Sequence, residues 1–178
     1  LVALLIGLSS NQLILSDRIA SQRQYAAIQG AAEWLRDHTG ERTVVFNPTI
    51  NFFPTFFFFN EGHNRFIVGL EPRTLYEHDS QKYWLWYNLS NKGLPCGQQE
   101  CTDELLAQKR MLRSDPDTWQ RHAGEAAARI LLENFAGRYA IVSKEFPALS
   151  DLLDASDRFE SVYTTPVTEH FVVYRVHE

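Results

Sequence analysis

The residues of this 178-residue chain that are equipped for chemistry fall into three short polar segments, each following an apolar run. "NPTIN" carries Asn47 and Asn51, "GLEPR" carries Glu71 and Arg73, and "SKEFP" carries Lys144 and Glu145. Amides, a carboxylate and a guanidinium can together hold a polar substrate, so Asn47, Asn51, Glu71 and Arg73 form the candidate substrate-binding set. The same residues have plain structural uses: Asn47 in a turn, Glu71 at a helix cap, Arg73 paired with an acid. Other chemistries find less support. The turn after the first apolar run, "NPTINFFP", lacks the glycines that let a backbone approach phosphate, which argues against dinucleotide binding. No Gly-x-Ser-x-Gly elbow occurs, and no cysteine sits beside a histidine that would activate it.

The six histidines, at positions 38, 63, 78, 122, 170 and 177, include no pair at helical ligand spacing. Glu77, His78 and Asp79 are adjacent and diverge on a helix, so a solvated helix start is favoured over a metal site. No cofactor is expected. Cys96 and Cys101, in "LPCGQQEC", are the only cysteines. Their spacing, in a loop containing Gly97, permits a disulfide that would suit an extracytoplasmic compartment, whereas two thiols without a neighbouring histidine make a poor zinc site. "NLS" at Asn88 matches the glycosylation acceptor, a tripeptide that arises often by chance.

The length suits one domain with a full core. With 44% hydrophobic and 22% charged residues the chain is globular in composition, and its mean hydropathy of −0.29 agrees. The net charge of −5 argues against a nucleic-acid binder, which would need Lys and Arg clustered on one face. Residues 1–15, beginning "LVALLIGL", form an apolar stub that is too short to cross a bilayer by itself. It reads either as the end of a truncated transmembrane helix or as an ordinary packed element, with residues 16–178 as a single α/β domain.

The elements that must position the polar segments follow from periodicity. "QYAAIQGAAEWLRDHTG" repeats apolar residues at helical spacing up to Gly40, and "RTVVFNP", "RFIVGL" (65–70) and "RYAIVSK" are short apolar strands. Pro72 and Asp79 start two helices, the second rich in aromatic residues. Asp115 and Pro116 start another, "DELLAQKRML" suggests a short one before it, and "FPALSDLLDAS" a last one. Two strands joined through Thr164 to Glu169 close the chain. This order predicts an α/β three-layer sandwich with a mostly parallel sheet, helices on both faces, and a C-terminal antiparallel hairpin at the edge.

"FNPTINFFPTFFFFNEG" places seven of the twelve phenylalanines in seventeen residues. Pro54 opens a helix of about two turns that Asn60 and Gly62 end. Successive side chains on a helix turn by about 100°, so four consecutive aromatics cannot all meet one sheet. The run is either a purely structural crossover or one whose Phe57 and Phe58 form a docking face for a bilayer surface or a transmembrane bundle.

Taken in order, "AAEWLRDHTGERTVVFN", "FPTFFFFNEGHNRFIVGLEPRTLYEHDSQKYWLWYNL", "NFAGRYAIVSKEFPAL" and "EHFVVYRV" resemble the C-terminal soluble domain of bacterial GT-C-type integral membrane glycosyltransferases. These are relatives of the dolichyl-phosphate-mannose protein mannosyltransferases and the aminoarabinose transferases. The likeness spans roughly residues 24 to 176. It implies a domain on the extracytoplasmic side of a membrane-anchored enzyme, with an upstream transmembrane domain of the same polypeptide as partner. It also implies a polyprenyl-phosphate-linked sugar donor and a lipid-linked sugar or glycan acceptor. The family's catalytic acid lies between early transmembrane helices, so no catalytic residue is carried over to this chain, and the implied role is docking or substrate positioning. One departure stands out: tails of this kind carry acidic residues just before the "FP" step, where this chain reads "TINFFP". Two alternatives compete. One is a free-standing glycan-binding module using Tyr83, Trp84, Trp86 and Tyr87. The other is a small soluble enzyme centred on Asn47, Glu71 and Arg73.

Overall fold

The computed structural model describes residues 22, 24–100, 110, 115–166 and 171–178. The apolar stub, Cys101, the "DELLAQKRML" helix apart from Arg110, and residues 167–170 of the final turn lie outside them. The first helix, α1, runs over 24–38 and stops before Gly40. Then come β1 (Val44–Phe46), α2 (Phe53–Asn60), β2 (Arg65–Phe66), α3 (Pro72–His78) and α4 (Ser80–Lys92). The second half holds α5 (Pro116–Arg129), which widens into a π-helical turn at Ile130–Asn134, then β3 (Gly137–Ser143), α6 (Pro147–Asp154), β4 (Phe159–Thr164) and β5 (Phe171–Val176).

Helix starts follow the chemistry of the sequence. Proline occupies the first turn of α2, α3, α5 and α6, where its missing N–H costs nothing. Asp79 accepts a hydrogen bond from the Lys82 N–H and Asp115 accepts one from the Thr118 N–H, capping α4 and α5. The end of α2 is set by Glu61 and Gly62, both in the left-handed region at φ 55° and 71°.

The strands form one five-stranded sheet in the order β2-β1-β3-β5-β4. β1 pairs in parallel with β2 and β3, and β5 pairs antiparallel with β3 and β4. The sheet is therefore mixed, with two pairs of each kind, and the expectation of a mostly parallel sheet is corrected. The terminal pair does lie at an edge as expected, but β5 sits inside the sheet and only β4 is the edge strand. Antiparallel pairing of β5 with both neighbours is what removes the parallel majority.

Two apolar clusters take alternate strand residues, as the twofold alternation of a strand requires. Phe46, Ala140, Val142, Val172 and Tyr174 join side chains of α4, α5 and α6, including Trp86, Leu89, Ala127 and Leu152. Val45, Ile141, Phe171 and Val173 join Ile28, Ala31 and Leu35 of α1 and Phe56 of α2. Among the described residues no helix is long and apolar enough to cross a membrane.

The second strand is shorter than its sequence suggests, two residues in place of the six of "RFIVGL". Ile67 still donates its N–H to Val45 O at 3.2 Å, but the next partner of this segment is a side chain. Pro48 ends β1, and Asn47 closes the gap with its amide group.

Candidate functional site

The carboxyl ends of β1, β2 and β3 are where an open α/β sheet gathers ligands, because connections there diverge to opposite faces. Asn47 lies at that end but is fully buried. Its Nδ2 donates to Val68 O at 2.8 Å and Thr49 O at 3.1 Å, and its Oδ1 accepts from the Val68 N–H at 3.1 Å. Its backbone carbonyl accepts from Trp86 Nε1 at 2.8 Å. The amide thus extends the β1–β2 ladder by one residue pair and anchors α4, leaving no donor for a ligand. Asn51 is exposed, its N–H bonded to Thr49 Oγ1 at 3.1 Å. Arg73 is exposed and pairs along its own helix with Glu77 at 2.8 Å. Glu71 stands at the N-cap position of α3 without making a side-chain cap.

Of the four candidates, Glu71 lines a groove. The groove has a volume of about 580 Å³ and runs along the β2 edge, between Phe53 of α2, the segment 67–71, and Thr74, Leu75 and His78 of α3. Its walls are mainly apolar, and Glu71 and His78 are its two titratable groups. Asn47, Asn51 and Arg73 are not among the residues that line this groove, although Asn47 holds the backbone of Val68, which is. Lys144 and Glu145 follow β3, and Gln24 Nε2 reaches Glu145 Oε1 at 3.4 Å from α1.

The groups with displaced pKa values lie elsewhere. A hydrogen bond from Arg36 holds the Asp37 carboxyl below its usual range, and bonds from Thr118 do the same for Asp115. Burial raises the Tyr163 and Tyr174 hydroxyls, the latter helped by its bond to Asp154. Each is explained by a cap, an ion pair or core packing. Among the described residues no cluster of three histidine, cysteine or acidic side chains is arranged to hold a metal ion.

Cys96 is disulfide-bonded. The one other cysteine in the chain, Cys101, lies outside the described residues. Asn88 of the "NLS" tripeptide is fully buried and donates to Cys96 O at 3.0 Å and Gln98 O at 3.1 Å. With both amide protons committed, the folded chain presents no acceptor there for glycosylation. That amide instead staples the cysteine loop to α4. Its own Oδ1 is buried with no partner among the described residues, as is Ser90 Oγ.

The aromatic residues divide by exposure. Trp86 is core, whereas Tyr83, Trp84 and Tyr87 are half-buried and meet one another and Tyr76 edge-on or stacked, at centroid distances of 5.1 to 6.5 Å. On α2, Phe57 and Phe58 are 52% and 72% exposed. Leu70, which lines the groove, is 72% exposed, and Tyr76 on α3 is 47% exposed. These two were not singled out from the sequence: Leu70 reads as the last residue of an apolar strand and Tyr76 as one aromatic residue within a helix. No family model, curated protein or solved structure matches the chain.

Proposed function

We propose that the chain is the non-catalytic extracytoplasmic C-terminal domain of a membrane glycosyltransferase that uses a polyprenyl-phosphate-linked sugar donor. In this reading its role is docking, and its partner is the upstream transmembrane domain of the same polypeptide together with the surface in which that domain lies. One observation carries it: four of the five exposed large hydrophobic side chains among the described residues, Phe57, Phe58, Leu70 and Tyr76, fall within the twenty residues 57–76 that run from α2 through β2 to α3. Isolated apolar residues on a surface are ordinary, but a grouping of this kind marks contact with something apolar. The ordered motifs that resemble the glycosyltransferase tails, the uncharged stub and the disulfide-bonded Cys96 support the same context. For the architecture, the two apolar clusters on alternate strand residues support a three-layer sandwich.

The gene upstream of Leu1 tests the reading. A series of transmembrane helices in the same frame is expected; a start codon immediately before Leu1 would overturn it.

A second reading rests on the half-buried ring cluster of Tyr76, Tyr83, Trp84 and Tyr87, whose faces suit sugar rings. It makes the domain a glycan-binding module. Titration of diverse glycans followed by tryptophan fluorescence should then report binding near Trp84, and silence across the set counts against it. The enzyme centred on Asn47, Glu71 and Arg73 has least support, because Asn47 is saturated and Arg73 is paired along the helix surface.

A further inference from the structure

The exposed pair on α2 does not stand alone. Phe53 lies 5.7 Å from Phe57, ring to ring, and lines the groove together with Leu70. Past Leu70, the Tyr76 ring meets Tyr83 at 5.2 Å and Trp84 at 6.5 Å. Phenyl and aliphatic groups thus gather on α2 and the segment after β2, and tyrosine and tryptophan on the next two helices, α3 and α4. The hydroxyls of Tyr76 and Tyr83 and the indole N–H of Trp84 have no hydrogen-bond partner among the described residues, so their polar tips are left for solvent or headgroups.

We infer that this face of the domain rests on the interfacial zone of a phospholipid bilayer, which narrows the docking role proposed above to its lipid partner and rests on that reading. Phe57, Phe58 and Leu70 enter the acyl boundary, and Tyr76, Tyr83 and Trp84 lie at headgroup level. Three observations select this occupant. The first is the order of chemistries, wholly apolar groups beside amphipathic rings, which is how side chains distribute at a membrane interface. The second is charge: residues 53–92 hold four acids (Glu61, Glu71, Glu77, Asp79) and four bases (Arg65, Arg73, Lys82, Lys92). The segment is neutral while the whole chain carries −5, so the approach of this face to lipid is not opposed and needs no anionic headgroup. The third is the chain that precedes α1. Leu1 to Ser16 contain no charged residue and lead into a helix that packs in the same cluster as α2.

Flotation of the 178-residue protein with lipid vesicles tests the inference. Phosphatidylcholine vesicles should carry the protein, and adding phosphatidylglycerol should change the bound fraction less than twofold. The double variant F58S/L70S, at two sites 72% exposed, should keep the thermal unfolding profile and partition roughly tenfold more weakly, since each side chain gives up an apolar contact with lipid. The comparison with the variant isolates this face from any lipid affinity of residues 1–15. Four results would overturn it: no flotation of the unmodified protein, binding only with anionic lipid, a variant that floats equally well, or a dimer that F58S/L70S converts to monomer. The gene upstream of Leu1 is read independently, so failure of the lipid contact and failure of the glycosyltransferase reading give different patterns.

Discussion

On the inner side of α2, Phe56 is 2% exposed, stacked on Phe66 at 5.9 Å and edge-on to Phe171 at 5.5 Å, whereas Phe58, two residues on, is 72% exposed. The same amino acid in the same short helix serves two environments because a helix turns by about 100° per residue. Phe53, Phe56, Phe59 and Asn60 fall on the arc toward the sheet, and Phe57 and Phe58 fall outside it. Asn60 completes the inner arc, with Nδ2 donating to Ala32 O at 3.1 Å and to Asn64 Oδ1 at 2.8 Å. A helix that is apolar on its outer side as well as its inner side has more hydrophobic surface than its fold needs. That excess is what the proposed docking role uses.

The sharpest way to break the comparison is to remove the inner ring. Phe56→Ala deletes a buried aromatic held between two others, and losses of about 3–5 kcal/mol are usual for such a change. Urea denaturation should show this drop against the unmodified protein; a loss below about 1 kcal/mol would mean that α2 is not packed as described.

Next in size is the polar anchor of β1. Asn47→Ala strips the Val68 N–H and C=O of their partners, and each buried orphan costs about 1–3 kcal/mol. Asn51→Ala, at an exposed position four residues later, should stay within about 0.5 kcal/mol. Equal effects on the urea midpoint would refute the division of this segment into a structural and a solvent-facing part.

Much of this was legible in the sequence, and the limits have physical causes. Pro54, Pro72, Asp79 and the Asp115–Pro116 pair announced helix starts because caps and first-turn prolines are local chemistry. Short β-branched runs announced strands. Strand direction was not legible, since "FVVYRV" carries the same pattern whether it enters the sheet parallel or antiparallel, and the insertion of β5 beside β3 is decided by packing. Nor was the fate of Asn47. An asparagine after a strand looks alike whether its amide faces a crevice or replaces a ladder partner, and here the ladder won because Pro48 removes the next N–H. Phe57 and Phe58 were legible as a choice between core and face, while Leu70 and Tyr76 gave no periodic signal.

The cluster that does not include α2 offers a matched group for contrast. The Tyr174 hydroxyl donates to Asp154 Oδ1 at 2.6 Å, and burial with this bond raises its pKa above the ordinary tyrosine value of 10.0. A proton held more tightly in the folded than in the unfolded chain stabilises fully below that ordinary value, and the contribution is lost as pH rises past it. Tyr174→Phe should therefore cost about 1 kcal/mol at neutral pH. Its stability should also fall less steeply above pH 10 than that of the unmodified protein. Tyr163, also raised by burial, leaves a residual slope of the same sign in both. Parallel pH profiles for the two proteins would show that burial and the Asp154 bond do not raise the Tyr174 hydroxyl.

The smallest effect is expected where the outer ring of α2 is removed. Phe58→Ser should change folding stability by less than about 0.5 kcal/mol, as surface substitutions do, while raising solubility by removing a protruding apolar group. Phe57→Ser should cost somewhat more, because Phe57 is half-covered: its ring stands 5.7 Å from Phe53 and it approaches Gly62, where a Cβ would lie 3.7 Å from the ring. The order Phe56, then Phe57, then Phe58 in denaturant midpoints is the pattern to test. If Phe58→Ser lowers the midpoint as far as Phe56→Ala, then Phe58 is covered by the protein itself, and neither a bilayer nor a transmembrane partner is needed to explain it.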